Sequence, residues 1–282
     1  MTAPSSTPAY LVASAQQAAG ASGLLHLNGI DLPALPYKEG DPCRVGIMGG
    51  TFDPIHYGHL VAAEQAAEDL ELDVVIFMAA GSPAFKQDRR VSSSEDRFAM
   101  TLLATADNPR FVASRLEIER PGITYTADTL AQIAVAYPSS VELFFITGAD
   151  AVVDIVHWHD AARIASLATL VGATRPGYDL ERARQAINES PIDFQVIYLE
   201  VPALAISSSY LRRRCAAGQS LRYLTPDTVC GYIRKHHLYG WEQVTGETMP
   251  SQKISAILPQ SPLDPPVSPE SPSARETGKE LH

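Results

Sequence analysis

The chain contains no run of 18 uncharged apolar residues, so no transmembrane helix is expected. Met1 to Leu25 carry no lysine or arginine, which removes the positively charged start that a secretory signal needs. Cysteine is scarce: Cys43, Cys215 and Cys230 are odd in number and form neither a CxxC pair nor a zinc-type spacing. Basic charge is also short, with 22 Lys and Arg against 32 Asp and Glu, a net charge of -10 and a pI near 5.2. A nucleic-acid partner, whose phosphates call for a basic footprint, is therefore not expected. A local basic site for a small anion remains compatible with that balance. No internal repeat is visible. Together these absences point to a cytoplasmic protein with neither a membrane nor a nucleic-acid partner, and they are compatible with a homo-oligomer.

What is present describes an ordinary globular protein, with 45% hydrophobic and 19% charged residues in 282. That length suffices for one large or two small domains with a filled core. The most informative stretch is Gly49-Gly50-Thr51-Phe52-Asp53-Pro54-Ile55-His56-Tyr57-Gly58-His59. It lies between the apolar run Val45 to Met48, a buried strand, and an alanine-rich run in which Leu60, Ala63, Ala67 and Leu70 recur at helical spacing. Where a strand feeds a helix, unpaired backbone N–H groups and the positive helix end attract phosphate. Gly49 and Gly50 let the backbone approach a ligand. His56 and His59 share one face if the first helical turn begins there. On the residues alone the pair reads as two imidazoles aimed at a phosphate, as a metal half-site or as a surface pair.

Residues 1 to 43, with Pro4, Pro8, Pro33, Pro36 and Pro42, read as a flexible extension poor in large apolar residues. The folded domain is expected over residues 44 to 240. Strands are expected at Val74 to Met78, Phe111 to Glu119, Val141 to Ile146, Thr169 to Ala173 and Phe194 to Leu199. Between them, Ser92 with Glu95 makes a capping box for a helix whose apolar face is Phe98, Leu102 and Ala106. Thr126 is the expected cap of a helix running to Tyr137, Asp160 caps another through Leu167, and Leu180 to Glu189 is a polar helix. Thr225 is expected to cap the last helix, with Pro226 at its first position. This alternation predicts an α/β fold, a Rossmann-like, doubly wound parallel sheet with helices on both faces. From Trp241 onward the chain, rich in Pro, Ser and Glu, reads as a disordered tail.

Ligands of such sheets bind at the C-terminal strand edge. Candidates there are Lys86, Arg89 and Arg90 after the second strand, and Asp150 after Thr147-Gly148-Ala149. Asp150 reads equally as a ribose acceptor or a helix cap. Farther along, Ile206-Ser207-Ser208-Ser209 opens a helix with Arg212 one turn on. Its hydroxyls and free N–H groups suit an anion, and they suit an ordinary capped helix as well.

Taken together, the first stretch resembles the HxGH signature of the nucleotidyltransferase superfamily, and Ile206 to Arg212 resembles its second signature, ISS(T/S)xxR. Over roughly residues 44 to 240 the chain resembles the bacterial nicotinate-nucleotide adenylyltransferase family. Thr124-Tyr125-Thr126 with Asp128-Thr129-Leu130, Gly148-Ala149-Asp150, Trp158 and Arg175-Pro176-Gly177 match that family in order. The loop Pro83-Ala84-Phe85-Lys86 departs from the Pro-Pro-His-Lys of many members.

The resemblance implies adenylyl transfer from ATP to nicotinate mononucleotide, giving nicotinate adenine dinucleotide and pyrophosphate, with Mg²⁺ delivered on ATP and no metal held by the protein. It assigns His56, His59, Lys86 and Arg212 to catalysis. ATP contacts fall to Gly49, Gly50, Thr51, Phe52, His56, His59, Asp150, Ile206, Ser207, Ser208, Ser209 and Arg212. Lys86, Tyr125, Thr126, Trp158 and Arg175 fall to the mononucleotide. No general base or nucleophile is needed, because the attacking phosphate monoester is mostly a dianion at neutral pH. Other readings are a transferase for another phosphate acceptor, a nucleotide sensor without turnover, and a zinc site at His56 and His59, for which no third ligand has suitable spacing.

Overall fold

The computed structural model describes residues 24–27, 30–33, 35, 42–82, 91–174, 179–202 and 205–241. Six parallel strands form the sheet: β3 (Cys43–Gly50), β4 (Val74–Ala79), β5 (Phe111–Ser114), β6 (Val141–Gly148), β7 (Thr169–Thr174) and β8 (Val196–Glu200), in the order β5-β4-β3-β6-β7-β8. A separate antiparallel hairpin joins β1 (Leu24–Leu27) to β2 (Ile30–Pro33). Numbered within the sheet, the order is the Rossmann arrangement in which the chain moves outward one way from β3 and then the other way from β6. The switch point therefore lies between β3 and β6, which pair in register from Cys43 with Val141 to Met48 with Ile146.

Alternation along the strands builds two cores, one on each face. Met48, Val75, Phe77, Phe144 and Ile146 face helices α1 (Tyr57–Asp69), α8 (Ser208–Ala216) and α9 (Asp227–Lys235). Val45, Ile47, Val74, Ile76, Leu143 and Phe145 face α4 (Thr126–Ala136) and α6 (Ala161–Leu167). On α1 the buried positions are Ala62, Ala63, Ala66 and Ala67, so the helix axis can approach the sheet closely and bring its N-terminus to the end of β3. The remaining helices are α2 (Ser94–Thr105), α3 (Leu116–Glu119), α5 (Ala149–Asp154) and α7 (Glu181–Asn188). Among the described residues no helix is long and apolar enough to cross a membrane.

Several local expectations are corrected. Within the expected flexible extension, Leu24–Leu27 pairs with Ile30–Pro33, and Leu32 and Leu35 are buried in the α4-side core. The strand expected through Glu119 stops at Ser114, because Arg115 turns to helical angles (φ -88°, ψ -4°) and α3 follows. The cap of α2 is Ser93, whose Oγ accepts from the Asp96 N–H at 3.0 Å, one residue later than the expected Ser92 with Glu95. The buried face of α2 is correspondingly Arg97, Met100, Thr101, Ala104 and Thr105, while Leu102 is half exposed. Tyr125 rather than Thr126 stands at the cap of α4, and Asp160 stands at the cap of α6 without a side-chain capping bond. Pro226 occupies the cap of α9, since the Thr225 hydroxyl is spent on Ile55. The expected tail, apart from Trp241, lies outside the described residues.

Candidate active site

β3 leaves the sheet at Gly50, and the chain turns through Phe52 (φ 50°) and Asp53-Pro54 into α1, with His56 at the cap. Gly50 is required by this turn: a Cβ there would lie 2.6 Å from the ring of Phe52. Phe52 is itself buried and stands edge-on to His59, with ring centroids 5.1 Å apart. The rings of His56 and His59 stack at 3.8 Å, so both imidazoles are delivered together at the end of the central strand.

Their protonation follows from their surroundings. His59 Nδ1 accepts the main-chain N–H of His56 at 3.2 Å. The neutral ring therefore carries its proton on Nε2, which becomes its donor. His56 is buried, and burial pulls its pKa down to about 4, so it is neutral at pH 7. Its Nδ1 is buried with no hydrogen-bond partner among the described residues. An orphaned polar atom of this kind costs about 1–3 kcal/mol, which a ligand atom within reach would offset.

Gly58 has a specific reason. A Cβ there would stand 3.0 Å from Cε1 and Nδ1 of His56. In a helix alanine is favoured over glycine by about 1 kcal/mol. Gly58→Ala is therefore expected to hold or raise the melting temperature while lowering kcat/KM, because His56 is displaced. Unchanged turnover in a stabilised Gly58→Ala protein would show that the position of His56 does not matter.

The second signature is bonded directly to the first. Ser207 caps α8, its Oγ accepting from the Tyr210 N–H at 3.2 Å. Ser208 Oγ donates to the Pro54 carbonyl at 2.8 Å. Arg212 donates from Nη1 to the Asp53 carbonyl at 2.6 Å and from Nη2 to Ser209 Oγ at 3.1 Å. On the other side, Thr225 Oγ1 donates to the Ile55 carbonyl at 2.8 Å, and the Tyr57 N–H donates to the Leu224 carbonyl at 3.1 Å. Main-chain carbonyls from Asp53 to Ile55 thus receive bonds from segments more than 150 residues away. The N-termini of α1 and α8 meet at the switch point.

Asp53, Tyr239 and Arg97 escaped the sequence reading as site residues. Asp53 is almost wholly buried beside Arg212 and accepts from the Tyr239 hydroxyl at 2.7 Å. Arg97 is 1% exposed and gives its guanidinium to the carbonyls of Ser92 (3.1 Å), Thr51 (2.8 Å) and Gly81 (3.0 Å). Burial lowers its pKa from the ordinary arginine value, with the Asp53 carboxylate acting in the opposite direction. Gly81 makes this crossing possible, since a Cβ there would lie 2.0 Å from the Glu117 carbonyl oxygen. Arg97 thus ties the exits of β3 and β4 to each other.

On the opposite side of β3 lie the expected mononucleotide residues. The Thr124 N–H and hydroxyl both donate to the Ser82 carbonyl, at 3.0 and 3.1 Å, which pins Tyr125 and Thr126 near the exit of β4. The Tyr125 ring packs on His159 with centroids 4.3 Å apart. Trp158 stands edge-on to Phe145 at 6.1 Å, and Phe145 in turn lies against Gly49. Asp150 sits in the first turn of α5, after the Gly148 cap, and is exposed. Lys86, Arg89, Arg90 and Arg175 lie outside the described residues.

A Rossmann-ordered sheet with a histidine-bearing helix start at its switch point, bonded to a serine- and arginine-bearing one, defines a nucleotidyltransferase. In agreement, the cytidylyltransferase-like family model matches residues 47–214. A probable nicotinate-nucleotide adenylyltransferase of Corynebacterium kroppenstedtii is 52% identical over 196 residues, covering 70% of this chain and 90% of that one. One from Frankia alni is 53% identical over 192 residues, covering 68% and 98%. The chain belongs to this family, the nicotinate-nucleotide adenylyltransferases. In fold it is similar to a Plasmodium falciparum nicotinic acid mononucleotide adenylyltransferase complexed with NaAD, with a TM-score of 0.58 at 19% identity over 71% of this chain and 98% of that one.

Proposed function

We propose that the protein transfers the AMP moiety of Mg-ATP to nicotinate mononucleotide, forming nicotinate adenine dinucleotide and pyrophosphate in NAD biosynthesis. The observation that carries this reading is the bonding of the two helix starts around the Asp53-Pro54-Ile55 turn. Two N-termini at one sheet edge are suited to bracket a triphosphate. The relatives supply the acceptor. We expect a cytoplasmic enzyme, in keeping with its free thiols at Cys43, Cys215 and Cys230.

The chemistry is a displacement at phosphorus. An oxygen of the mononucleotide phosphate forms a bond to the α-phosphorus of ATP as the bond from that phosphorus to the α,β-bridging oxygen breaks, and pyrophosphate leaves with the electron pair. The nucleophile arrives already ionised, so the protein's task is alignment and charge stabilisation. In this reading the Nε2–H of His59 donates to the α-phosphate as its oxygens gain charge. His56 donates to the neighbouring phosphate oxygens, restoring a partner to a buried ring. Ser207, Ser208, Ser209 and Arg212 hold the leaving pyrophosphate, with Lys86 as a further phosphate contact. Gly49, Gly50, Thr51, Phe52 and Ile206 line the path of ATP, and Asp150 receives its ribose. Among the described residues no cluster of three or more His, Cys, Asp or Glu side chains is placed to hold a metal ion. Mg²⁺ is taken as part of the ATP substrate in this reading.

Tyr125, Thr126 and Trp158 receive the nicotinate ring, with Arg175 following β7. Loss of one aromatic stacking partner and its burial is worth about 1.4 kcal/mol, or tenfold. Trp158→Ala is therefore expected to raise KM for nicotinate mononucleotide about tenfold while KM for ATP moves less than about twofold. Equal effects on both substrates would remove Trp158 from the pocket. The reaction itself is tested by pyrophosphate release from Mg-ATP with nicotinate and nicotinamide mononucleotides offered separately. Release with neither acceptor would overturn the reading.

A further inference from the structure

Arg212 and Asp53 form an unusually long pair. Arg212 Nη1 stands 3.6 Å from Asp53 Oδ2, although both side chains are largely buried and the same nitrogen is 2.6 Å from the Asp53 main-chain oxygen. A carboxylate and a guanidinium at such close quarters ordinarily settle into a two-bonded fork at about 2.7–2.9 Å. The other carboxylate oxygen carries a different bond. Asp53 Oδ1 is occupied by the hydroxyl of Tyr239, which donates to it at 2.7 Å from 186 residues away.

Tyr239 is itself firmly held. It belongs to the short 3-10 turn Leu238–Gly240 that follows α9 and adopts φ 58°, a left-handed angle that a tyrosine rarely takes without support. Its hydroxyl also lies 4.0 Å from the sulfur of Met100, a buried residue of α2. Gly240 beside it packs against Ala216 at the end of α8. The turn after the last helix therefore reaches back to the turn that carries the first signature and to the end of the helix that carries the second.

We propose that Tyr239 is a positioning residue for Arg212: by occupying Asp53 Oδ1 it keeps the carboxylate from forking onto the guanidinium, and so leaves the arginine charge for the leaving pyrophosphate. This rests on the proposed assignment of Arg212 to pyrophosphate. Without the phenol, the Asp53 carboxylate rotates, takes Arg212 with both oxygens, and draws it off the Asp53 carbonyl and Ser209. Asp53 thereby changes from a support into a competitor.

The test uses the full chain and Mg-pyrophosphate binding by calorimetry, which does not depend on which acceptor the enzyme uses. Tyr239→Phe is expected to weaken Mg-pyrophosphate binding about tenfold, the scale of one charge-assisted hydrogen bond, and to raise KM for ATP while leaving KM for nicotinate mononucleotide unchanged. Asp53→Asn/Tyr239→Phe is expected to recover part of the loss, because a neutral amide does not capture the guanidinium. In an Arg212→Lys background, Tyr239→Phe is expected to have little further effect. Unchanged pyrophosphate binding in Tyr239→Phe, failure of Asp53→Asn to rescue, or full additivity with Arg212→Lys would each overturn the proposal. If Tyr239→Phe fails to fold alone, the Asp53→Asn/Tyr239→Phe protein supplies the comparison with Asp53→Asn, whose pyrophosphate affinity it should match. Wild-type protein that binds pyrophosphate in this pattern yet makes no dinucleotide would sink the proposed reaction and leave this inference standing.

Discussion

His59→Ala is expected to lower kcat by about 10²- to 10³-fold, the effect of removing one preorganised donor to a developing charge. The ring is doubly committed, since Nδ1 accepts the His56 N–H and Nε2 carries the remaining proton. The alanine variant therefore also loses a helix-terminus bond worth about 0.5–2 kcal/mol. His59→Asn separates the two roles, because its amide oxygen can take the place of Nδ1 while nothing takes the place of Nε2–H. Steady-state kinetics beside thermal denaturation should find the asparagine protein folded like wild type and nearly as slow as the alanine one. Normal turnover in a folded His59→Asn protein would dismiss the donor role.

Arg97→Met is expected to cost about 3–5 kcal/mol of folding stability, because the partly buried carbonyls of Thr51, Gly81 and Ser92 lose the guanidinium that donates to them and each unsatisfied group costs about 1–3 kcal/mol. That is a large part of the roughly 5–15 kcal/mol that holds a domain together. Urea unfolding should show a lower midpoint with an unchanged slope. Arg97→Lys should fall between, since one ammonium on a flexible stem does not span three carbonyls in different directions. A loss below about 1 kcal/mol for Arg97→Met would mean that water or neighbouring groups satisfy those carbonyls.

The elements legible in the sequence are those whose pattern is local. β4 is a continuous run of six buried apolar residues and β6 buries Leu143 to Ile146 in succession, and apolar positions facing two cores leave them no other place than the middle of a sheet. His56 and His59 were legible by their spacing beside a glycine turn, and Ser207 and Arg212 by their place at a helix start. What spacing does not reveal is who holds them. Arg97 in α2 has the composition of a solvent-facing position, and the face chosen from Phe98 and Leu102 lay one residue out of phase as a result. Its burial is tolerated only because three carbonyls from three segments converge on it, a fact of tertiary structure. Asp53 and Tyr239 are separated by 186 residues and carry no local sign of their bond. The pairing of β1 with β2 is short and ends at Pro33, and it is made worthwhile by burying Leu32 in a core contributed by other strands.

At the centre of the account, His56 and His59 stabilise charge and do not take the adenylyl group themselves. The stereochemistry at the α-phosphorus tests this most directly, with an ATP analogue chiral at that atom through sulfur substitution. A single in-line displacement by the mononucleotide phosphate predicts inversion of configuration in the dinucleotide product. Retention, the mark of two successive displacements through an adenylylated histidine, would contradict it.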